Sequence, residues 1–117
     1  MRGAKAYSGI DPFTGAGRTI YVSSGIIQST EPCVSEDLPV LSPSLIDLQV
    51  NGYNGHDLND GHLKADKVEA LSKALCRVGV AAYLPTLITA AKADICSRLH
   101  AVQEAVETLP YSRQMIA

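Results

Sequence analysis

The spacing of apolar and polar positions changes near residue 41 and divides the chain in two. Before it, short β-type runs (Thr19 to Ser23, Ile26 to Ser29) alternate with Gly9, Gly15, Gly17, Gly25, Pro12 and Pro32. That punctuation predicts a small antiparallel unit over residues 1–40. Asp11-Pro12 and Thr14-Gly15 mark a first hairpin, and Ser24-Gly25 is a two-residue turn joining TIYV to IIQS. Pro32 to Pro39, carrying Glu36 and Asp37, reads as a solvated link.

From residue 41 to 117, apolar runs alternate with helical periodicity, the pattern of parallel βα units. Leu45, Ile46, Leu48 and Val50 predict a strand covered on both faces, and the polar loop Asn51 to Asp60 behind it is where function should sit. Val68, Leu71, Leu75 and Val78 form one helical stripe, with Asp66 and Glu69 as a capping pair and Gly79 as the stop. Glu69, Lys73 and Arg77 fall at four-residue steps and read as a solvated face. Val80 to Ile88 is the second strand, with Pro85 placed near its end because it lacks an N–H.

Thr89 is positioned to cap a second helix whose stripe is Ile95, Leu99, Val102, Val106 and Leu109, stopped by Pro110. Tyr111 to Ala117 reads as the start of a third strand. The fold class is therefore α/β. A parallel series of this kind normally continues until a barrel closes or the sheet is doubly wound, so these residues are expected to be the front part of a longer protein.

Composition narrows the function classes. Ten basic against twelve acidic residues, six aromatics and no Lys/Arg cluster argue against a nucleic-acid partner. The N-terminus lacks the apolar core of a signal peptide, and the run Val78 to Ala91 falls short of the roughly 20 apolar residues that span a bilayer. A cytoplasmic, non-membrane protein is expected. Cys33, Cys76 and Cys96 are odd in number and far apart, which favours reduced thiols used in core packing.

Gln49 and Asn51 are two apart on the first strand, so they leave the same face at its C-terminal end, which looks into the ligand crevice of such folds. Metal hydrolases place an H-x-H pair there. Neutral amides are much weaker ligands and would orient water or substrate instead. His56, Asp57, Asp60 and His62 form a compact His/Asp set, but loop turns and caps are the preferred role for them. His100 is expected at a helix edge, and Asp47 near the strand needs a partner or water. Gly52 to Gly55 matches no phosphate-loop pattern.

The stretch LSPSLIDLQVNGYNGHDLND, followed after one helix by GVAAYLPTLIT, resembles the N-acetylglucosamine-6-phosphate deacetylases of the amidohydrolase superfamily. The matches fall at Ser42-Pro43, Ile46-Asp47, Asn51-Gly52, Asn59-Asp60 and Leu84 to Thr89. The front part, with Gly25 in a V-x-x-G-I turn, is similar to the small β-sandwich that precedes the barrel in that superfamily. The resemblance implies the N-terminal part of a (β/α)8 barrel, incomplete here. It implies a divalent metal, zinc first, an amino-sugar phosphate substrate, and a homodimer for the complete protein.

In the same terms Gln49, Asn51, Asn59, Asp60 and Thr86 line the active site. Gln49-Val50-Asn51 occupies the H-x-H position in the manner of family members that bind one metal. The Glu ligand of a His-Leu-Glu-Gly-Pro motif, two further His ligands, the catalytic Asp and the phosphate-binding groups are expected downstream. No catalytic residue is assigned within these residues, and tight metal binding by them alone is not expected. Ser44 stands where the family usually has Gly, and Tyr53 and His56 replace smaller loop residues. The competing expectations are a non-catalytic remnant or self-associating module and, behind it, a dihydroorotase-like or imidazolonepropionase-like enzyme, which would keep His at positions 49 and 51.

Overall fold

The computed structural model describes residues 4–117, which fall into two units, Met1–Pro43 and Ser44–Ala117. In the first unit, β1 (Lys5–Ile10), β2 (Gly17–Ser23) and β3 (Ile26–Pro32) form one antiparallel sheet in the order β1-β2-β3. Both central residues of the β2–β3 turn have positive φ, 52° at Ser24 and 75° at Gly25, the backbone twist that matches two paired strands. The β1–β2 turn is closed by Asp11, which accepts hydrogen bonds from the Phe13 N–H and the Thr14 hydroxyl, both at 2.9 Å.

The second unit is a mixed α/β arrangement. Its parallel pair is β4 (Leu45–Val50) with β7 (Val80–Pro85), and Pro85 lies at the strand end, as its missing N–H requires. Between them come a short hairpin, β5 (Gly52–Tyr53) with β6 (His56–Asp57), and α1 (Ala65–Arg77). Helices α2 (Lys92–Thr108) and α3 (Pro110–Met115) follow. The core gathers Val50, Leu58, Leu63, Val68, Leu71, Leu75, Val80, Tyr83, Val102 and Met115. Full burial of an aliphatic side chain stabilises by about 1.5–3 kcal/mol, so the α1 stripe of Val68, Leu71 and Leu75 is a main source of the unit's stability.

Several expectations are corrected here. Strand β4 is not covered on both faces: Val50 is 3% exposed, but Leu45, Ile46 and Leu48 are 62%, 67% and 71% exposed. The reason is topological. Helices α1 and α3 pack mainly against β7, with Val50 at the end of β4 the strand's one buried residue in the shared core, and among the described residues β7 is the one strand that pairs with β4. Val78 is exposed because it is already the C-cap of α1, where Gly79 ends the helix by bonding back to the Cys76 carbonyl at 3.1 Å.

Thr89 does not cap α2; Ala91 occupies that position without a side-chain bond. The buried face of α2 is Ala101, Val102 and Ala105, while Leu99 is exposed, because small residues let α2 lie close to its neighbours. Pro110 does stop α2, yet it also opens α3 as its first residue, where a missing N–H costs nothing. The strand expected over Tyr111 to Ala117 is thus a helix up to Met115. Only the last two residues reach the sheet, Ile116 as a parallel bridge to Tyr83 and Ala117 through its N–H to the Tyr83 carbonyl at 3.1 Å. Cys76 and Cys96 are exposed and Cys33 half-buried, so the two helical thiols do not serve core packing.

Two uncovered faces of β4 give an expected result. The 117-residue chain should self-associate as its concentration rises, and Leu48→Lys should reduce this by placing a charge on the apolar strand. Sedimentation velocity over a concentration series reads it; a monomer throughout would contradict it.

Candidate functional site

Because β4 and β7 are parallel, their C-terminal ends lie together, and the loops leaving both strands meet there. The Thr86 N–H continues the ladder to the Val50 carbonyl at 2.8 Å. The Thr86 carbonyl accepts long hydrogen bonds from the Asn51 side-chain amide at 3.5 Å and from that of Asn59 at 3.4 Å. The Asn59 side-chain oxygen in turn accepts the Ile88 N–H at 2.8 Å. Asn59 therefore ties the two loops, with donor and acceptor ends both engaged, so it shapes the rim and does not point a free group into it.

Of the five residues expected to line the site, Asn51, Asn59 and Thr86 are brought together. Gln49 is exposed on β4, and its side-chain amide makes no hydrogen bond among the described residues. The Asp60 carboxylate takes the His62 N–H at 2.8 Å and pairs with Lys67 of α1. The Lys67 ammonium, with help from the His62 N–H, holds the Asp60 carboxyl below the usual range. Asp47 finds its partner in the Gln49 N–H at 3.0 Å. His100 is exposed on α2.

The His/Asp set does not make a metal centre. Asp57 accepts the Asn59 N–H at 2.8 Å and Asp60 is occupied as above, so both carboxylates are spent on turns. Among the described residues no group of three His, Cys, Asp or Glu side chains converges on one point. With Gln49 and Asn51 offering only amide oxygens, the donors present do not fit a zinc ion.

The hairpin β5–β6 follows β4 in the chain and packs against α1. Its turn has φ 50° at Asn54 and 83° at Gly55, the same two-residue type as the β2–β3 turn. Gly52 is dictated by close approach, since a Cβ there would lie 2.4 Å from the His56 carbonyl oxygen. The hairpin base is fixed by the Leu58 N–H bonding the Asn51 carbonyl at 2.8 Å and by the Leu58 side chain, which is fully buried.

A second polar cluster escaped the sequence. Glu69, expected on a solvated face, is 5% exposed. Its carboxylate accepts the Tyr111 N–H at 3.2 Å, the Ser112 N–H at 2.9 Å and the Ser112 hydroxyl at 2.8 Å. It thus caps α3 from another helix, in place of the capping role expected at the start of α1, where Lys64 provides no side-chain bond. Ser72 joins this cluster to β7, with its hydroxyl 2.9 Å from the Tyr83 hydroxyl and 3.3 Å from that of Ser112. No local signal in the sequence marks this cluster, because the uncapped helix that needs the acceptor exists only once Pro110–Met115 forms α3.

Burial pushes the Glu69 carboxyl up, but the bonds from Ser112 and Tyr111, aided by Lys73, outweigh it and leave it below its ordinary value. Burial lifts the Tyr83 phenol, against the Ser72 bond and with the Glu69 charge. A depressed carboxyl pKa gives stability that is present above the unfolded value of 4.5 and lost as pH falls through the folded one. As pH falls from the unfolded value of 4.5 through the lowered folded one, stability should therefore fall more steeply in the native chain than in Glu69→Gln. Urea midpoints followed downward from pH 4.5 check this, and parallel curves would contradict it.

Comparisons place the fold. No protein-family model matches the chain. A solved structure of N-acetylglucosamine-6-phosphate deacetylase from Pasteurella multocida superposes with a TM-score of 0.61 at 23% sequence identity. The match covers 78% of this chain but 26% of that one, so these residues span about a quarter of the deacetylase. What the comparison shows is an α/β arrangement similar to that part of the deacetylase.

Proposed function

We propose that this chain is the N-terminal part of a metal-dependent amide hydrolase that converts N-acetylglucosamine 6-phosphate and water into glucosamine 6-phosphate and acetate. In that reaction the C–N bond of the acetamide breaks, the water oxygen goes to the acyl carbon, and a proton goes to the leaving nitrogen. The observation that carries the reading is a juxtaposition. The two sequence blocks that resemble the deacetylases end at the C-terminal edges of the adjacent parallel strands β4 and β7, and Asn59 ties them together. Ligands are commonly bound at that end of parallel strands, and the likeness of fold supports the same assignment.

On this reading β4 and β7 are the first strands of a barrel, and the residues here contribute rim and orientation. Gln49 and Asn51 offer amide hydrogen bonds to substrate or water, and the Asn59 tie holds the loops in place. A divalent metal, zinc first, would polarise the acyl group and activate water in the complete protein. Its ligands lie outside these residues, because the donors present do not fit one. The complete protein is further proposed to be a cytoplasmic homodimer; among the described residues no helix is long and apolar enough to cross a membrane.

Substrate profiling of the protein expressed from its complete reading frame tests the assignment. Release of acetate from N-acetylglucosamine 6-phosphate, with no turnover of dihydroorotate or imidazolonepropionate, is the expected outcome; the reverse preference would overturn it. The exposed faces of β4 favour a second reading, a self-associating module without catalysis. A stop codon directly after Ala117 would favour that module, whereas a frame continuing into His-Leu-Glu-Gly-Pro would favour the enzyme.

A further inference from the structure

The chain has three asparagines, Asn51, Asn54 and Asn59, and the first two each precede a glycine. An Asn-Gly pair is a turn signal, and it is also the dipeptide most open to an internal reaction. The following backbone nitrogen can attack the side-chain carbonyl carbon, and glycine has no Cβ to hinder that approach. In an unfolded chain Asn51-Gly52 and Asn54-Gly55 present the same reacting atoms. The fold separates them.

Asn54 and Gly55 form the tip of the β5–β6 hairpin, and both are exposed. The Asn54 side chain, unlike those of Asn51 and Asn59, makes no hydrogen bond among the described residues, and the Gly55 N–H donates none there either. A Cβ on Gly55 would meet nothing within 4 Å, so the backbone around the reacting nitrogen has room to turn. Asn51-Gly52 is closed in. Asn51 is half-buried, its carbonyl accepts the Leu58 N–H at 2.8 Å, and its side-chain amide reaches the Thr86 carbonyl at 3.5 Å. Gly52 is paired with Asp57, and a Cβ there would lie 2.4 Å from the His56 carbonyl oxygen. Swinging the Gly52 nitrogen onto the Asn51 side chain would break the Leu58 bond and the ladder with it.

We propose that Asn54 is a site of spontaneous deamidation whose isoaspartate product opens the hairpin. The Gly55 nitrogen bonds to the Asn54 Cγ, the Cγ–Nδ2 bond breaks, and ammonia leaves with the proton of the Gly55 amide. Water then opens the resulting cyclic imide at one of its two carbonyls. One opening gives aspartate; the other gives isoaspartate, in which the main chain runs through the former side chain. Water is consumed, ammonia is released, and nothing is oxidised or reduced. Both products add a negative charge, but isoaspartate also inserts a methylene into the main chain between the paired Tyr53 and His56. A two-residue turn fixes register by its length, so that form loses the pairing and, with it, the Leu58 bond at the hairpin base. The aspartate form keeps the hairpin, because aspartate accepts the left-handed backbone that Asn54 adopts at φ 50°. None of this depends on the activity proposed above.

The test ages the 117-residue chain in neutral buffer, folded and in urea, and follows each asparagine by tandem mass spectrometry of its peptide. In the folded chain Asn54 should convert at least about tenfold faster than Asn51, which reacts only from an opened state. In urea the two rates should agree within about twofold, because the fold no longer distinguishes them. Isoaspartyl-specific carboxyl methylation identifies the product. Chains that carry it should lose exchange protection at the Leu58 amide, whereas fresh chains and the Asn54→Asp variant keep it.

Equal rates in the folded chain, or an unreacted Asn54 there while the urea sample converts, would overturn the site. Leu58 protection retained in the isoaspartate form would overturn the opening of the hairpin. Protection lost in Asn54→Asp would assign the effect to charge and overturn the main-chain account, and its absence from the fresh chain would remove the closed hairpin on which the contrast with Asn51 rests.

Discussion

Replacing Glu69 with alanine is expected to lower the unfolding free energy of the 117-residue chain by about 2–4 kcal/mol, more than any surface substitution on α1. The substitution removes the acceptor for three donors at once: the Tyr111 N–H, the Ser112 N–H and the Ser112 hydroxyl. Ser112 is fully buried, so its groups have no water to turn to unless α3 detaches. Each buried donor left unmatched costs about 1–3 kcal/mol, and fraying of α3 limits the sum to the lower part of that total. Detachment has its own signature. Ile116 and Ala117 reach β7 through α3, and the Ala117 N–H bonds the Tyr83 carbonyl at 3.1 Å, so that amide should lose protection from exchange.

Urea unfolding and amide exchange measure the two effects together, and the double variant with Ser112→Ala should cost clearly less than the sum of the single changes. A loss below about 0.5 kcal/mol, or strict additivity, would show that the carboxylate does not hold α3.

Leu58→Ala is the other large change. Leu58 is among the fully buried side chains of the second unit and sits at the foot of the hairpin. Truncating a buried leucine costs about 2–5 kcal/mol, through lost transfer free energy and the cavity left behind. Here the cavity opens beside the Leu58 N–H bond to the Asn51 carbonyl, so local order at the site should fall with global stability. Faster exchange at Leu58 together with a lower urea midpoint is the expected pair of results. A stability loss under about 1 kcal/mol with unchanged exchange would mean that the hairpin is held by its turn alone.

How much of this was legible in the sequence depended on whether the cause was local. The two-residue turn at Ser24-Gly25, the Pro85 strand end and the Gly79 stop follow from backbone chemistry of one or two residues, and the structure has them; the hairpin turn at Asn54-Gly55 has the same chemistry within a stretch that reads only as loop. The α1 stripe is similar, because periodicity alone selects Val68, Leu71 and Leu75. Glu69 could not be placed that way. It adjoins the stripe, and only the arrival of α3, some forty residues later, turns a solvated carboxylate into a buried cap. Strand β4 was misread for the converse reason. An apolar run signals a need for cover on both faces, but the cover is a property of neighbouring elements, and α1 and α3 lie on β7.

At the candidate site, the resemblance named Asn51, Asn59 and Thr86 as lining residues, and the structure links them by hydrogen bonds. The Asn59 side chain is consumed in joining loops, a long-range contact that spacing does not encode. The Asp60 carboxylate is held by the His62 N–H and by Lys67 in the first turn of α1, a pairing across the loop that spacing alone does not encode.

The most direct test of the proposed activity is acetate release from N-acetylglucosamine 6-phosphate, followed by proton NMR, for the 117-residue chain and for the protein from its complete reading frame, each with zinc. One acetate per glucosamine 6-phosphate from the complete protein, with no turnover and no tight stoichiometric zinc in the 117-residue chain, is the expected result. Failure of the complete protein to release acetate would contradict the proposed function, and turnover by the 117-residue chain would contradict the assignment of its residues to the rim alone.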